Sequence, residues 1–406
     1  MRDKEPVAGA RKASRPAGDT DPSGAGGCPV RLGADGVWRV AGVEEARAVL
    51  RSHDTVQAGL GVESTEKLPS FYRRPVLYRD GPEHREDRRQ TARFFTPRRV
   101  DRHYRPVMER VAEAQLTRLR AVGEADLTQL AFHLAIAVAA EVIGLTESRP
   151  GTDRRLEAFF PDEKFDRPGF TSLKGLRVIA RQNRNWLRFY TGDVRPAVRA
   201  RRTRRRDDLI SHLIDEGCSA GEILGECITF AAAGMVTTRE FVSLAAWHLF
   251  TGEELLAAYR AADEPERLAL LREILRLEPV IPTLRRRTTA ALEIADGAFR
   301  IPAGAVVEID VGTANLDPRA VGPDPGSLCP ARAGQVARGA DAPPVLSFGD
   351  GPHRCPGADI ALLETDVFLT RLFAEPGLRM RTAPRVSSQR ALGSYELREF
   401  HVEIAG

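Results

Sequence analysis

The run that opens at Ser219 is the longest apolar stretch of this 406-residue chain, and it limits the possible folds more than any other feature. Glu222 follows Ser219 by three residues, the spacing of a capping box, in which each side chain satisfies an N–H of the other's end of the first turn. Helical periodicity then continues across about 220 to 250. A helix this long and this apolar crosses a core, so other elements must cover it. At 42% hydrophobic residues the chain can supply that cover.

Further helical patterns span about 83 to 95, 100 to 121, 126 to 144, 173 to 203, 207 to 215, 254 to 260 and 265 to 277, and apolar spacing through Ala46, Val49 and Leu50 marks another. Strand signals are sparse. They comprise a piece around Val37 to Val40 and the pair Leu292-Glu-Ile and Phe299-Arg-Ile, which flanks the turn residues Asp296-Gly297. The reading is a mainly α protein with small β-sheets, a single large domain over 29–406. Residues 1–28, poor in large apolar side chains, read as a disordered N-terminal tail.

No stretch reaches the roughly 18 uninterrupted apolar residues of a membrane span, and the N-terminus lacks the apolar core of a signal peptide, so a cytoplasmic protein with no membrane partner is expected. A formal charge of +4 demands no nucleic-acid partner. Cys28, Cys218, Cys227, Cys329 and Cys355 are odd in number, scattered and never in CxxC spacing, which argues against a disulfide framework or a zinc site.

Cys355 stands apart from the other four. Phe348-Gly-Asp-Gly-Pro-His-Arg-Cys-Pro-Gly357 leads into the helical pattern Ala358-Asp-Ile-Ala-Leu-Leu-Glu364, which sets Cys355 just ahead of a helix N-terminus. Unpaired N–H groups and the positive dipole end favour a thiolate there and lower its pKa. Gly349, Gly351 and Gly357 let the backbone approach a flat ligand and take positive φ values. A free cysteine is more often a small buried hydrophobe, and Cys355 alone does not choose between packing and ligation. The whole pattern, FGxGxHxCxG before a helix, resembles the haem-binding loop of the cytochrome P450 family at every fixed position. The resemblance implies the P450 fold and haem b, with Cys355 as axial iron ligand, Phe348 shielding the sulfur and His353 reaching a propionate.

Other landmarks follow in the family's order. Glu273-Ile-Leu-Arg276 puts a carboxylate and a guanidinium at i, i+3, by itself an ordinary surface pair. Upstream of the hairpin and the cysteine loop it resembles the family's ExxR, and Leu328-Cys-Pro-Ala-Arg332 resembles FxPxR, which implies structural roles for Glu273, Arg276 and Arg332. Propionates need cationic forks. His84 and Arg88 resemble the HxxxR pair, and Arg286 occupies the place of a further propionate arginine, with Arg285-Arg286-Arg287 leaving the register open by one.

Within the long helix, Ala231-Ala-Ala-Gly234-Met-Val-Thr237-Thr238 resembles AGxxT. Small residues such as Ala233 and Gly234 let a planar cofactor lie against the helix, and Thr237 can bond back to the Ala233 carbonyl, opening the helix for O2 and water. Val236 departs from the family, where an acid commonly precedes the threonine, and valine cannot relay a proton. Glu240, one turn on, is the candidate replacement.

The family places substrate contacts around Val56 to Tyr78, in a lid around Phe159 to Leu173, after the ExxR helix and near the C-terminus. Phe71, Tyr72, Phe165, Phe170, Val236, Ile281, Thr283, Leu284 and Tyr395 then make a mostly apolar pocket, suited to a small-molecule natural-product substrate. With no reductase domain, the resemblance implies electrons from a separate ferredoxin or flavodoxin, steered by Arg88, Arg89, Arg98 and Arg354. The reaction implied is monooxygenation with O2. Radical coupling or ring formation without oxygen insertion, which Val236 favours, a peroxide-driven reaction and a non-catalytic haem binder are the alternatives.

Overall fold

Ser219 Oγ accepts the Glu222 N–H at 3.4 Å, and the Glu222 carboxylate accepts the Ser219 N–H at 2.7 Å. The helix capped in this way runs Ala220–Thr251, 32 residues, or roughly 48 Å at the α-helical rise. The structure is a computed structural model that describes residues 28–59, 61–62, 73–158, 173–332, 345–389 and 394–405. The N-terminal tail through residue 27, Phe71, Tyr72 and the expected lid with Phe165 and Phe170 lie outside the described residues.

The main helices are α1 (Val43–Arg51), α2 (Gly81–Thr91), α3 (Arg105–Val122), α4 (Leu127–Ile143), α5 (Thr152–Glu157), α6 (Leu173–Phe189), α7 (Arg195–Thr203), α8 (Leu209–Asp215), α9 (Ala220–Thr251), α10 (Glu253–Ala261), α11 (Glu264–Leu277) and α12 (Ala358–Leu372). Two expected helices are interrupted. π-turns at Val100–Tyr104 and Tyr190–Val194 precede α3 and α7, where Pro106 and Pro196 have no N–H to give the preceding turn.

Three apolar clusters surround this frame. The first packs the C-terminal half of α9, from Phe241 to Leu249, against α3, α4, α11 and α12. The second packs the N-terminal half of α9, including Ile223, Cys227, Ala231 and Met235, against Phe189, Val194, Ala197, Val198 and α8. The third joins α1 to the largest sheet.

That sheet has strand order β1-β2-β8-β5-β3, from β1 (Val30–Leu32), β2 (Trp38–Val40), β3 (Thr55–Ala58), β5 (Thr283–Thr288) and β8 (Val306–Asp310). It is larger than the sparse strand signal suggested. Three consecutive arginines in β5 hide the alternation, yet the strand is paired on both edges, with Gln57 and Val307 opposite Arg286. β6 (Leu292–Ile294) and β7 (Phe299–Ile301) form the expected hairpin. A second sheet, β4-β12-β9, pairs β12 (His401–Ile404) with β4 (Glu124–Asp126) and β9 (Leu378–Thr382), and β10 (Arg385–Gln389) pairs with β11 (Ser394–Arg398).

Glu364 in α12 is buried, its Oε1 has no hydrogen-bond partner among the described residues, and burial pushes its carboxyl from 4.5 up to about 8. Folding therefore takes up a proton at this position. Its favourable contribution is full below about pH 4.5 and is lost as pH rises through about 8. Glu364→Gln keeps the shape without the charge. Its melting temperature is expected to exceed the parent's by a margin that widens between about pH 6 and pH 8.5 in scanning calorimetry; a margin independent of pH would assign the cost to another group.

Candidate active site

The Cys355 N–H donates to the Phe348 carbonyl at 2.8 Å, closing the loop on itself. Gly349 and Gly351 have φ of 69° and 66°, and a Cβ on Gly351 would stand 2.3 Å from the Leu50 carbonyl, so glycine is required where the loop presses on the end of α1. Asp350 ties the two together by ion pairs to Arg47 and Arg51 at 3.1 and 3.0 Å. Gly357 differs from expectation. Its φ is −86°, and open space lies where its Cβ would be. The expected lowering of the Cys355 pKa is also reversed: burial pushes the thiol up, against the pull of the Gly357 N–H, Arg88 and Arg354.

The structure brings Glu273, Arg276 and Arg332 together. Arg276, with no solvent exposure, meets both oxygens of Glu273 at 2.8 Å, and Arg332 approaches the same carboxylate at 2.5 Å. Arg276 also donates to the carbonyls of Asn315, Pro325 and Ser327 at 3.1, 2.6 and 3.3 Å. These are loop carbonyls with no strand or helix partner of their own, and the guanidinium fork replaces the water they would otherwise need.

His84, Arg88, Arg286 and His353 converge in front of this loop. The rings of His84 and His353 stack with centroids 4.0 Å apart, and His353 Nε2 meets Asp80 Oδ1 at 2.8 Å. Burial, aided by repulsion from His353 and Arg88, holds His84 down to about 3, so it is neutral at physiological pH. Arg88 donates to the Arg354 carbonyl at 2.5 Å and feels the Cys355 sulfur electrostatically. Alternation along β5 decides the arginine register. Arg286 turns inward and is buried, donating to Gln57 Oε1 and to the Arg285 carbonyl, while Arg285 is exposed and pairs with Glu308. Burial lowers Arg286 to about 10.

Midway along buried α9, Ala233 is exposed and Gly234 and Thr237 are half-buried, an open face on a helix that is otherwise covered. Thr237 Oγ1 donates to the Ala233 carbonyl at 2.6 Å. Ile281, Thr283 and Leu284 are half-buried, with Leu284 against Gly349 of the loop.

Three expected site residues face elsewhere. Val236 is 3% exposed and Tyr395 1% exposed, so neither offers surface to a substrate. Glu240 is buried with both oxygens engaged, accepting from the Leu397 N–H at 2.7 Å, Arg398 at 2.8 Å and Arg239 at 3.0 Å. It clamps β11 to α9 and has no free oxygen for relaying a proton to Thr237.

A second acid–base cluster was not apparent from sequence. Glu226 of α9 accepts from the Val76 N–H at 2.9 Å and pairs with Arg79, Glu222 accepts the Arg73 N–H at 3.1 Å, and Arg73 reaches Asp87 of α2 at 2.7 Å. The four contacts tie the segment at 73–79 to the two helices that frame the site.

A family model described as Cytochrome P450 matches residues 268–385. Over 366 residues, 86% of this chain and 84% of the relative, the chain is 30% identical to erythromycin C-12 hydroxylase of Saccharopolyspora erythraea. It is also 30% identical to cytochrome P450 107B1 of that organism over 319 residues, 76% of this chain and 72% of the relative. The chain belongs to the cytochrome P450 family. Among solved P450-fold structures, CalO2 superposes with a TM-score of 0.74 at 25% identity, and a mutant of P450 EryK in complex with erythromycin B with 0.71 at 26%, each covering 93% of both chains.

A P450 is a haem-thiolate monooxygenase, with haem b held by a cysteine. The residues present fit that group. Arg88 and Arg286 are cations drawn out of water with no carboxylate hydrogen-bonded to either among the described residues, which suits two propionates. Open space beside Gly357 and the exposed Ala233 suit a flat ring. Among the described residues no group of three or more His, Cys, Asp or Glu side chains competes for a metal.

Removing Arg276 leaves Glu273 with Arg332 alone as its charged partner and takes the only side-chain donor among the described residues from the Asn315 and Pro325 carbonyls. Arg276→Ala is expected to lose about 3–5 kcal/mol of stability, read from urea unfolding midpoints. Arg332→Ala, which removes a half-buried partner and leaves the bidentate pair intact, should lose less than half of that; equal losses would contradict this ranking.

Proposed function

We propose that this P450 monooxygenates a small, mostly apolar natural-product intermediate, with Cys355 as the axial ligand of its haem. The observation that carries the reading is the open face of Ala233, Gly234 and Thr237 on α9, in the same chain as a cysteine loop flanked by buried Arg286 and half-buried Arg88, neither hydrogen-bonded to a carboxylate among the described residues. Arg88, Arg286, His84 and His353 hold the propionates in this reading, and Phe348 covers the sulfur. The bound haem supplies O2 activation. Thr237 holds a proton at Oγ1 against the Ala233 carbonyl of an uninterrupted helix, while Ile281 and Leu284 exclude water around the substrate and Thr283 offers it a hydrogen bond. The relatives named as erythromycin C-12 hydroxylase and 6-deoxyerythronolide B hydroxylase support a natural-product substrate.

Electrons come from a separate ferredoxin or flavodoxin in this proposal, and the protein works in the cytoplasm. Arg88, Arg272 and Arg354 support an acidic donor on the cysteine side, since Arg88 couples to Cys355, Arg272 couples to Arg354 and Arg354 is exposed. Arg98 is exposed as well, whereas Arg89 is tied to Glu86 at 2.6 Å. One observation favours a second reading. With Val236 buried and both oxygens of Glu240 engaged, no acid among the described residues stands ready beside Thr237, which suits radical coupling or ring formation without oxygen insertion.

Reduced protein with carbon monoxide should give the long-wavelength band of thiolate ligation, and Cys355→Ser should abolish it; a histidine-type band in the parent would refute the assignment. Product formed under labelled O2 then separates monooxygenation from coupling. Thr237→Ala should lower product per electron severalfold, whereas Glu240→Gln should keep parental coupling and lose thermal stability through its contacts to Arg398 and Leu397. Parental coupling in Thr237→Ala would remove Thr237 from the proton route.

A further inference from the structure

Helices α6 and α7 concentrate positive charge to a degree that the whole chain does not. From Arg177 to Arg206 there are eleven arginines, no lysine and one acidic residue, Asp193, against a formal charge of +4 for all 406 residues. Asp193 is buried and engaged by Arg155. Arg201, Arg205 and Arg206 are paired with Asp208, Asp215 and Glu147. Arg177, Arg181, Arg184 and Arg188 are different. They recur at i, i+4, i+7 and i+11, one face of α6, all four are exposed, and none has an acidic partner among the described residues. Beyond the π-turn, Arg195, Arg199 and Arg202 repeat that spacing on α7 and are exposed too.

Several arginines elsewhere are laced with acids, as in exposed Arg89 with Glu86 and Arg120 with Glu113 and half-buried Arg47 with Glu44 and Arg105 with Asp101. Others, such as Arg85, Arg98 and Arg118, are exposed with no acidic partner among the described residues, so what sets the stripe apart is four such arginines on one face over three turns. Like charges at i, i+4 weaken the helix that carries them. A stripe left unlaced thus costs the helix a little, and an acidic surface laid along it would offset that cost. Its place separates it from the cysteine side. The undersides of α6 and α7, at Phe189, Ala197 and Val198, sit in the cluster around the N-terminal half of α9, which contains no residue of the Cys355 loop or of α12.

We propose that this stripe docks an acidic protein through a helix that presents a carboxylate at each turn. Guanidinium forks pair bidentately with carboxylates. One arginine per turn over roughly 17 Å, from Arg177 to Arg188, matches the pitch of a second helix laid alongside. Leu187, 61% exposed at the edge of this face, adds one apolar contact. A single leucine is too little to insert into a bilayer, and the stripe exposes no aromatic ring among the described residues on which bases can stack.

The test uses the full-length, haem-loaded protein and fluorescence anisotropy at about 0.15 M salt, the physiological range of screening. The probes are an alanine-based helical peptide with glutamates at i, i+4, i+7 and i+11, a sequence-scrambled peptide of the same composition, a short DNA duplex, and vesicles of phosphatidylserine and phosphatidylcholine. The patterned peptide is expected to bind at least tenfold more tightly than the scrambled one. Arg181→Glu/Arg184→Glu/Arg188→Glu should weaken it at least tenfold, with reduction by a ferredoxin unchanged, and the milder Arg184→Gln should give a partial loss. No binding, equal binding of the scrambled peptide, or tighter binding of DNA or vesicles overturns the proposal. Parallel loss of ferredoxin-driven reduction in the triple variant also overturns it, since the stripe would then be the electron donor's face.

Discussion

Arg276 is buried completely, and the position of the cysteine loop depends on it. Its fork holds Glu273 on its own helix and the carbonyl of Asn315 across the chain. The same Asn315 then accepts the Leu346 N–H at 2.7 Å through its side chain and donates to Ser347 Oγ at 2.9 Å. Ser347 returns to the helix by donating to the Leu275 carbonyl at 2.6 Å. From Phe348, the next residue, one hydrogen bond reaches Cys355. The circuit from Arg276 to the sulfur therefore contains no flexible link longer than a turn. A buried guanidinium is expensive to desolvate, and its return here is positional: five acceptors in fixed directions, which no apolar substitute supplies.

Electrostatics on the other side of the loop are left unbalanced. Among the described residues Arg286 has only a glutamine side chain and a backbone carbonyl as acceptors, Arg88 only a carbonyl, and burial lowers the pKa of both. Cations in this state strengthen any anion brought between them, because little water competes. Asp80 already meets His353 and also lies near Arg286, while accepting the Gln57 N–H at 3.1 Å. It pins the histidine stack and offsets part of the Arg286 charge without hydrogen-bonding to either arginine.

How far this could be read from sequence follows the range of the interactions. Capping, the Asp296-Gly297 hairpin, the helical runs and the Glu273–Arg276 pair are local, and their residues lie within a few positions of each other. The fold class and most of the site's frame were legible for that reason. Glu240 shows the limit. Spacing put it one turn beyond Thr237, but what fixes its role is a pair of contacts to Leu397 and Arg398, some 157 positions away. Val236 and Tyr395 were misjudged as lining because a helix or strand pattern does not say which neighbour covers a given face. The arginine run at 285 to 287 was ambiguous until strand pairing on both edges of β5 set its alternation.

The three clusters also divide the labour of the molecule unequally. Those that contain α11, α12 and the sheet surround the loop and its buried triad, and a displacement of one residue there breaks a charged hydrogen bond. The second cluster joins α6, α7 and α8 to α9 through apolar contacts, and buried ion pairs, Arg201 with Asp208 and Arg155 with Asp193, fix that layer as well. Between the two, α9 is continuous: Ala231 and Met235 pack in the second cluster, and Glu240 is pinned to β11. The same helix therefore spans both clusters, and its open face at Ala233, Gly234 and Thr237 lies between the half packed on α8 and the half packed on α12.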